Sequence, residues 1–137
     1  MRYSETSESL RENRDFQIVY HHGRSAANRA LVLYVYPRAE KMKAVDASSM
    51  PYSWKMAGYD KNRVGISVSR KVGNSVVRHH LCRLIRESYR LHENRFDRGL
   101  DMVVIARPGA RGLSFSEIER ALLSDARRLG VLDKAEN

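Results

Sequence analysis

Apolar side chains fall into short blocks whose spacing changes along the chain. Phe16, Val19 and Tyr20 follow a polar start over 1–15, and Phe16 and Tyr20, four apart, share one helical face. Ser9 with Glu12 has capping-box spacing, Asn13 is a second candidate cap, and Gly23 is a suitable stop for this first helix. Residues 30–36 read as a strand closed by Pro37. Leu31, Leu33 and Val35 lie on one face and Val32, Tyr34 and Tyr36 on the other, both apolar enough for a central strand. Residues 38–60 keep no steady period and contain Ser48, Ser49, Pro51, Ser53 and Gly58. They are expected to form a long loop or insertion, with Tyr52 and Trp54 as possible anchors.

Further on, Val64, Ile66 and Val68 alternate with Gly65, Ser67 and Ser69, the pattern of a strand with one apolar face. A turn at Gly73 and Asn74 leads into a helix over 75–92. Residues 101–106 form another strand, closed by Pro108 and Gly109. Ser114 with Glu117 makes a second capping-box pattern before a last helix carrying Ile118, Leu122 and Leu129, with Gly130 at its end. The order helix, strand, strand, helix, strand, helix predicts an α+β fold, an α/β sandwich. There is no internal repeat and no low-complexity tract.

The length, 137 residues, suits a single domain over 1–137. Lys and Arg number 25 against 16 Asp and Glu, a formal net charge of +9, which points to a polyanionic partner, nucleic acid ahead of a membrane. The single cysteine, Cys82, excludes an internal disulfide framework and a multi-cysteine zinc module. The polar start is unlike a signal peptide and the longest apolar run is too short to span a bilayer, so a cytoplasmic protein is expected.

The charge is concentrated. Ten basic residues lie between Lys61 and Arg98, opposed by Glu87, Glu93 and Asp97, so this segment carries 10 − 3 = +7 of the excess. At 100° per residue, Val77, Leu81, Leu84, Ile85 and Ser88 gather on one side of the 75–92 helix. His79, Arg83, Arg86 and Arg90 gather on nearly the opposite side, spaced to follow a phosphate backbone. Arg70, Lys71 and Arg78 stand just before or at the helix start, where free amides and the macrodipole also favour phosphate. Like charges at these spacings cost an isolated helix a few tenths of a kcal/mol per pair. A polyanion would offset that cost, whereas a plain solvated face would not.

The histidines and the cysteine raise two further chemistries. His21, His22, His79 and His80 are general acid–base side chains, but nothing else in the sequence assembles a site around them. A zinc site from His79, His80 and Cys82 lacks an evident fourth ligand, and their directions on a helix diverge. Cys82 is either a thiolate activated by nearby arginines or an inert, partly buried thiol.

The run RVGISVSRKVGNSVVR over 63–78, followed by RLIRE over 83–87, closely resembles the protein component of bacterial ribonuclease P. The resemblance extends to Asp15–Phe16, Tyr20, Gly23, residues 27–29 and Leu33–Tyr34 upstream, and to DMVVIARPG over 101–109 downstream. It implies a ribosomal-protein-S5-like fold with a central, mainly antiparallel sheet packed by helices and a left-handed βαβ crossover. General rules would have made that crossover right-handed. It also implies a division of labour in which a catalytic RNA removes the 5′ leader of precursor tRNA with magnesium ions held mainly by RNA. No catalytic or metal-binding residue of the protein, and no protein partner, is implied. Arg70, Lys71, Asn74, Arg78, His79, His80, Arg83, Arg86 and Arg90 would bind the catalytic RNA. Phe16, Tyr20, Asn28, Arg29, Val32 and Tyr34 would form a cleft for the single-stranded leader, where aromatic faces stack on unpaired bases. The chain departs from the family's Arg-Asn-Arg-x-Lys-Arg pattern, reading Arg78-His79-His80-Leu81-Cys82-Arg83, with two permanent cations fewer. The rival class is a non-catalytic RNA-binding module of ribosomal or RNA-assembly type, which charge alone fits equally well.

Overall fold

The computed structural model describes residues 6–133; the first five residues of the polar start and the last four of the chain lie outside them. Five strands form one sheet in the order β1-β4-β5-β3-β2. They are β1 (Ser7–Ser9), β2 (Arg24–Ala27), β3 (Leu31–Tyr36), β4 (Asn62–Val68) and β5 (Asp101–Ala106). The β1–β4 and β4–β5 pairs are parallel, and the β3–β5 and β2–β3 pairs antiparallel. The α+β architecture is as expected, but the sheet is evenly mixed rather than mainly antiparallel. The added parallel pair comes from β1, a three-residue polar strand with no hydrophobic alternation to announce it.

Long helices cover one face of the sheet. Leu31, Leu33 and Val35 of β3, Met102, Val104 and Ala106 of β5 and Val64 of β4 pack against α4 (Ser75–His92) and α5 (Phe115–Arg128). Leu81, Ile85 and Tyr89 enter this core from α4, and Ile118, Leu122 and Ala126 from α5. Fully burying a Leu or Ile here contributes about 1.5–3 kcal/mol. Both helices are capped as their sequences suggest. Asn74 Oδ1 accepts from the Val77 N–H at 3.0 Å, and Ser114 with Glu117 completes a reciprocal capping box. The Ser9–Glu12 pair does not: Ser9 is in β1, and α1 (Asn13–His22) begins after Glu12 with no side-chain cap.

The opposite face is covered only in part. Val19 of α1 and Val103 of β5 are fully buried there with Leu10, Tyr36, Met42 and Trp54. The expected long loop at 38–60 is instead built from α2 (Arg38–Ala44), a 3-10 turn at Ala47–Ser49 and α3 (Tyr52–Ala57). Helices of seven and six residues are too short to display a period, and no such helix stands alone in water. Tertiary contacts hold them. Trp54, 4% exposed, packs on Tyr36 with ring centroids 6.0 Å apart, whereas Tyr52, 74% exposed, anchors nothing.

A buried ion network ties this segment to the sheet. Asp101, at the start of β5, accepts from Arg63 Nε at 2.8 Å and from the Arg63 and Arg38 guanidiniums. Arg63 also donates to Asp15 at 3.0 Å, and the Ser53 hydroxyl donates to the other Asp15 oxygen at 3.1 Å. Arg38 further donates to the carbonyls of Gly58 and Lys61 and is wholly buried. Burial pulls its guanidinium below the usual arginine range, against Asp101, which holds it up. Arg63 therefore does not belong to the exposed basic surface with which the sequence grouped it.

Asp125 of α5 is also fully buried, beneath the β2–β3 hairpin. Burial pushes its carboxyl up to about 6, only partly offset by Arg128 at 3.8 Å and the Asn28 amide. The unfolded value is 3.8, so the folded state binds a proton that the unfolded state gives up between those values. This group thus costs stability above pH 6, and the cost disappears as pH falls toward 4. Asp125→Asn is expected to raise stability at neutral pH by up to about 3 kcal/mol and to flatten this pH dependence. Urea denaturation at several pH values reads both effects. An Asn variant less stable than the parent at neutral pH would mean that the charged carboxylate is itself favourable.

Candidate nucleic-acid interface

The outer face of α4 is the first candidate surface. Its buried stripe is Leu81, Ile85, Ser88 and Tyr89, with the Ser88 hydroxyl donating to the Leu84 carbonyl at 2.8 Å. His79, His80 and Arg83 are exposed on the other side, and Arg78 and Arg86 are half-buried. Arg70 and Lys71 are exposed on the segment leading into the helix. No carboxylate pairs with Arg70, Lys71, Arg83 or Arg86 among the described residues. Arg90, by contrast, bonds Glu87 at 2.7 Å, and Arg95 bonds Asp133 at 2.7 Å. Asn74 has its side-chain oxygen committed to the helix cap. The free cations of this face are thus fewer than the sequence count and are gathered toward its N-terminal half.

Burial pushes the Cys82 thiol up against the opposing influence of Arg86 and Arg78, the direction of an inert thiol rather than an activated thiolate. His21 and His22 lie at the end of α1, and His79 and His80 lie on α4, across the sheet. The four imidazoles therefore do not assemble into one site.

The second surface is a cleft beside α1, and the strand register explains it. Gly65, Val103 and Tyr34 form one row across β4, β5 and β3 on the α1 face; Ser67, Ile105 and Val32 form the next. Helix α1 sits on the first row. The Phe16 ring lies over Gly65, where a Cβ would come within 2.5 Å of the ring, so only glycine admits this approach. Tyr20 meets Tyr34 edge-on at 5.3 Å between centroids, and Phe16 and Tyr20 are 6.2 Å apart. The second row is left half-buried, as are Phe16, Tyr20 and Tyr34. The result is an aromatic wall above a floor of Ser67, Ile105 and Val32. Burial, then Tyr34, raises the Tyr20 phenol above its usual value, so it remains a neutral donor and acceptor. Ile105 and Ser67 were not singled out from sequence; their alternation with core-facing Val104, Ala106, Ile66 and Val68 was the available signal.

Asn28 and Arg29 occupy the β2–β3 turn rather than the aromatic wall. Asn28 Oδ1 accepts from the Ala30 and Leu31 amides, each at 2.9 Å, and its Nδ2 donates to the Ala121 carbonyl of α5 at 2.9 Å. Its side chain shapes the turn and docks it on α5. Arg29 is exposed beside it.

The arrangement offers stacking surfaces for unpaired bases on one side and arginines for phosphates on the other. The sequence matches the family described as Ribonuclease P over residues 5–130. The ribonuclease P protein component of Lachnoclostridium phytofermentans is 42% identical over 130 residues, covering 95% of this chain and 96% of that one. That of Alkaliphilus metalliredigens is 38% identical over 128 residues, covering 93% and 98%. The solved RNase P protein of Staphylococcus aureus superposes with a TM-score of 0.70 at 30% identity, over 94% of this chain and 99% of that one. The protein from Thermotoga maritima gives 0.64 at 28% identity, over 95% and 99%.

Proposed function

The chain belongs to the ribonuclease P protein family, and from that premise we propose that it holds two RNAs at once. The outer face of α4 with Arg70 and Lys71 binds the catalytic RNA, and the α1 cleft binds the 5′ leader of precursor tRNA. The observation that carries the second assignment is the half-buried aromatic wall of Phe16, Tyr20 and Tyr34 above an open row of the sheet. Aromatic rings accept any base by stacking, contributing about 1–3 kcal/mol per base, which suits a leader of variable sequence.

This chain's part is binding and orientation, with bond cleavage left to the RNA. Product tRNA lacks the leader, so every contact in the cleft favours substrate over product. Neutralising phosphate on α4 allows the catalytic RNA and its substrate to approach each other. Magnesium ions supply water activation and leaving-group stabilisation in such a reaction. The donor set presented here does not fit them. The α4 face carries arginine and histidine and the cleft carries aromatic, aliphatic and hydroxyl groups, whereas Mg²⁺ takes oxygen ligands, chiefly carboxylate, phosphate and water. Among the described residues no three His, Cys, Asp or Glu side chains gather to hold a metal. In this reading the ions are held by RNA phosphates. No helix among the described residues is long and apolar enough to cross a membrane.

Tyr34→Ala is expected to reduce the preference of the holoenzyme for leader-bearing over mature tRNA about tenfold, with assembly on the catalytic RNA unchanged. Paired binding measurements on the two tRNAs test it. Equal losses for both would indicate a fold defect, and no loss would remove the cleft from leader binding. A ribosomal or assembly role would give no leader preference in the parent protein at all.

A further inference from the structure

A third concavity, of about 540 Å³, lies between the β2–β3 turn, the 3-10 turn Pro108–Ala110 and α5. Arg29, Arg111 and Arg120 line it from three separate parts of the chain, together with Asn28, Ser124 and Glu117. All three arginines are exposed, and none has an ion-pair or hydrogen-bond partner among the described residues. Glu117, the acid of this site, is held in the capping box with Ser114. We propose that these arginines bind the sugar–phosphate backbone of the leader where it runs past the aromatic cleft. The proposal rests on the reading of the cleft as the leader site.

Rigidity and continuity argue for this occupant. The turn presenting Arg29 is fixed by the three Asn28 hydrogen bonds, by the Arg107 N–H donating to Ala30 at 2.8 Å, and by the Arg107 guanidinium donating to the Asn28 carbonyl at 2.9 Å. A Cβ on Gly109 would lie 2.5 Å from the Arg29 carbonyl, so glycine lets the two turns meet and shape the concavity. Val32, in the cleft floor, is three residues from Arg29, a span of about 10 Å at most. Direction follows from the sheet order. β4 leads through Arg70 and Lys71 into the face assigned to the catalytic RNA, and β3 lies two strands away. A strand coming from that RNA crosses Phe16 over Gly65, then Tyr20 and Tyr34, and turns along β3 over Val32 toward the β2–β3 turn, where Arg29 stands. Arg120 senses the Glu117 carboxylate electrostatically without forming an ion pair, and the three guanidiniums match phosphate in charge and geometry.

The test uses holoenzyme reconstituted with the Arg111→Ala, Arg120→Ala double variant and two precursor tRNAs. One leader is about 4 nucleotides long and the other about 12, spanning the usual range of single-strand sites. The long-leader precursor is expected to bind about fivefold more weakly, with its salt slope reduced by about 1.4 for two lost phosphate contacts. The short-leader precursor is expected to keep its affinity. Adding Arg29→Ala should enlarge the loss on the long leader alone. Equal losses on both precursors would overturn the proposal in favour of a contact with the catalytic RNA or the tRNA body. No loss on either would overturn it outright. Tyr34→Ala is the separate arm: if it leaves leader preference intact, the cleft reading fails, whereas a normal Tyr34 effect without a length effect defeats only this inference.

Discussion

Asp101→Asn is expected to cost about 3–5 kcal/mol of folding stability, enough to unfold much of the population at physiological temperature. Asp101 is buried and accepts hydrogen bonds from two buried guanidiniums, those of Arg38 and Arg63. Asparagine keeps the shape but loses the charge and one acceptor, and turns an amide N–H toward an arginine. Two cations are then left short of compensation in the interior, which costs more than the intact network contributes. The loss should spread into 38–60, because Arg38 also carries the Gly58 and Lys61 carbonyls. Urea denaturation gives the magnitude, and amide hydrogen exchange over 38–60 gives the location. A loss below about 1 kcal/mol would mean that hydrophobic packing of Met42 and Trp54 alone holds the segment.

Arg83→Ala with Arg86→Ala is expected to weaken binding to the catalytic RNA at least tenfold near physiological salt. It should also reduce the slope of log affinity against log salt by about 1.8, the release of two counterions from duplex RNA treated as B-DNA is. Neither residue is in an ion pair among the described residues, so the change removes charge without leaving a partner orphaned. Folding stability should stay level or rise slightly, since like charges along α4 repel. Binding measured from low to high salt, with thermal unfolding alongside, separates the two effects. An unchanged slope would take this part of α4 out of the interface. The same logic makes Arg90→Ala the weaker variant, because Glu87 already neutralises that guanidinium.

Much of the molecule is legible in the order of its residues. The helix at 75–92 and the strand at 101–106 agree with expectation to the residue, because a long amphipathic period and a six-residue apolar run are local properties. The capping box at Ser114 is equally local. Ser9 and Glu12 share that spacing without forming a cap, since Ser9 pairs with Val64 in the sheet. Pairing partners are supplied by the fold, and no spacing reveals them. The short strands Ser7–Ser9 and Arg24–Ala27 escape notice for the same reason: they are polar edge strands whose only signature is the neighbour they bond.

The candidate surfaces divide along the same line. One helical face carries the α4 cations, so their grouping is set by a 3.6-residue period that the chain itself contains. The cleft residues on α1 and β3 came from family likeness; register alone shows that Ser67 and Ile105 complete its floor. Arg63 illustrates the opposite error. By composition it is one more cation in a basic segment, yet it lies buried between Asp15 and Asp101, 48 and 38 positions away. The concavity of Arg29, Arg111 and Arg120 had no local signature either, since two turns and helix α5 must converge to make it. The sequence by itself therefore determined the main helices and strands, the family and the basic face of α4, all carried by contiguous residues. Which charges are spent inside, where 38–60 folds and how the two further surfaces are assembled were decided by tertiary structure, because those outcomes depend on contacts between residues far apart in the chain.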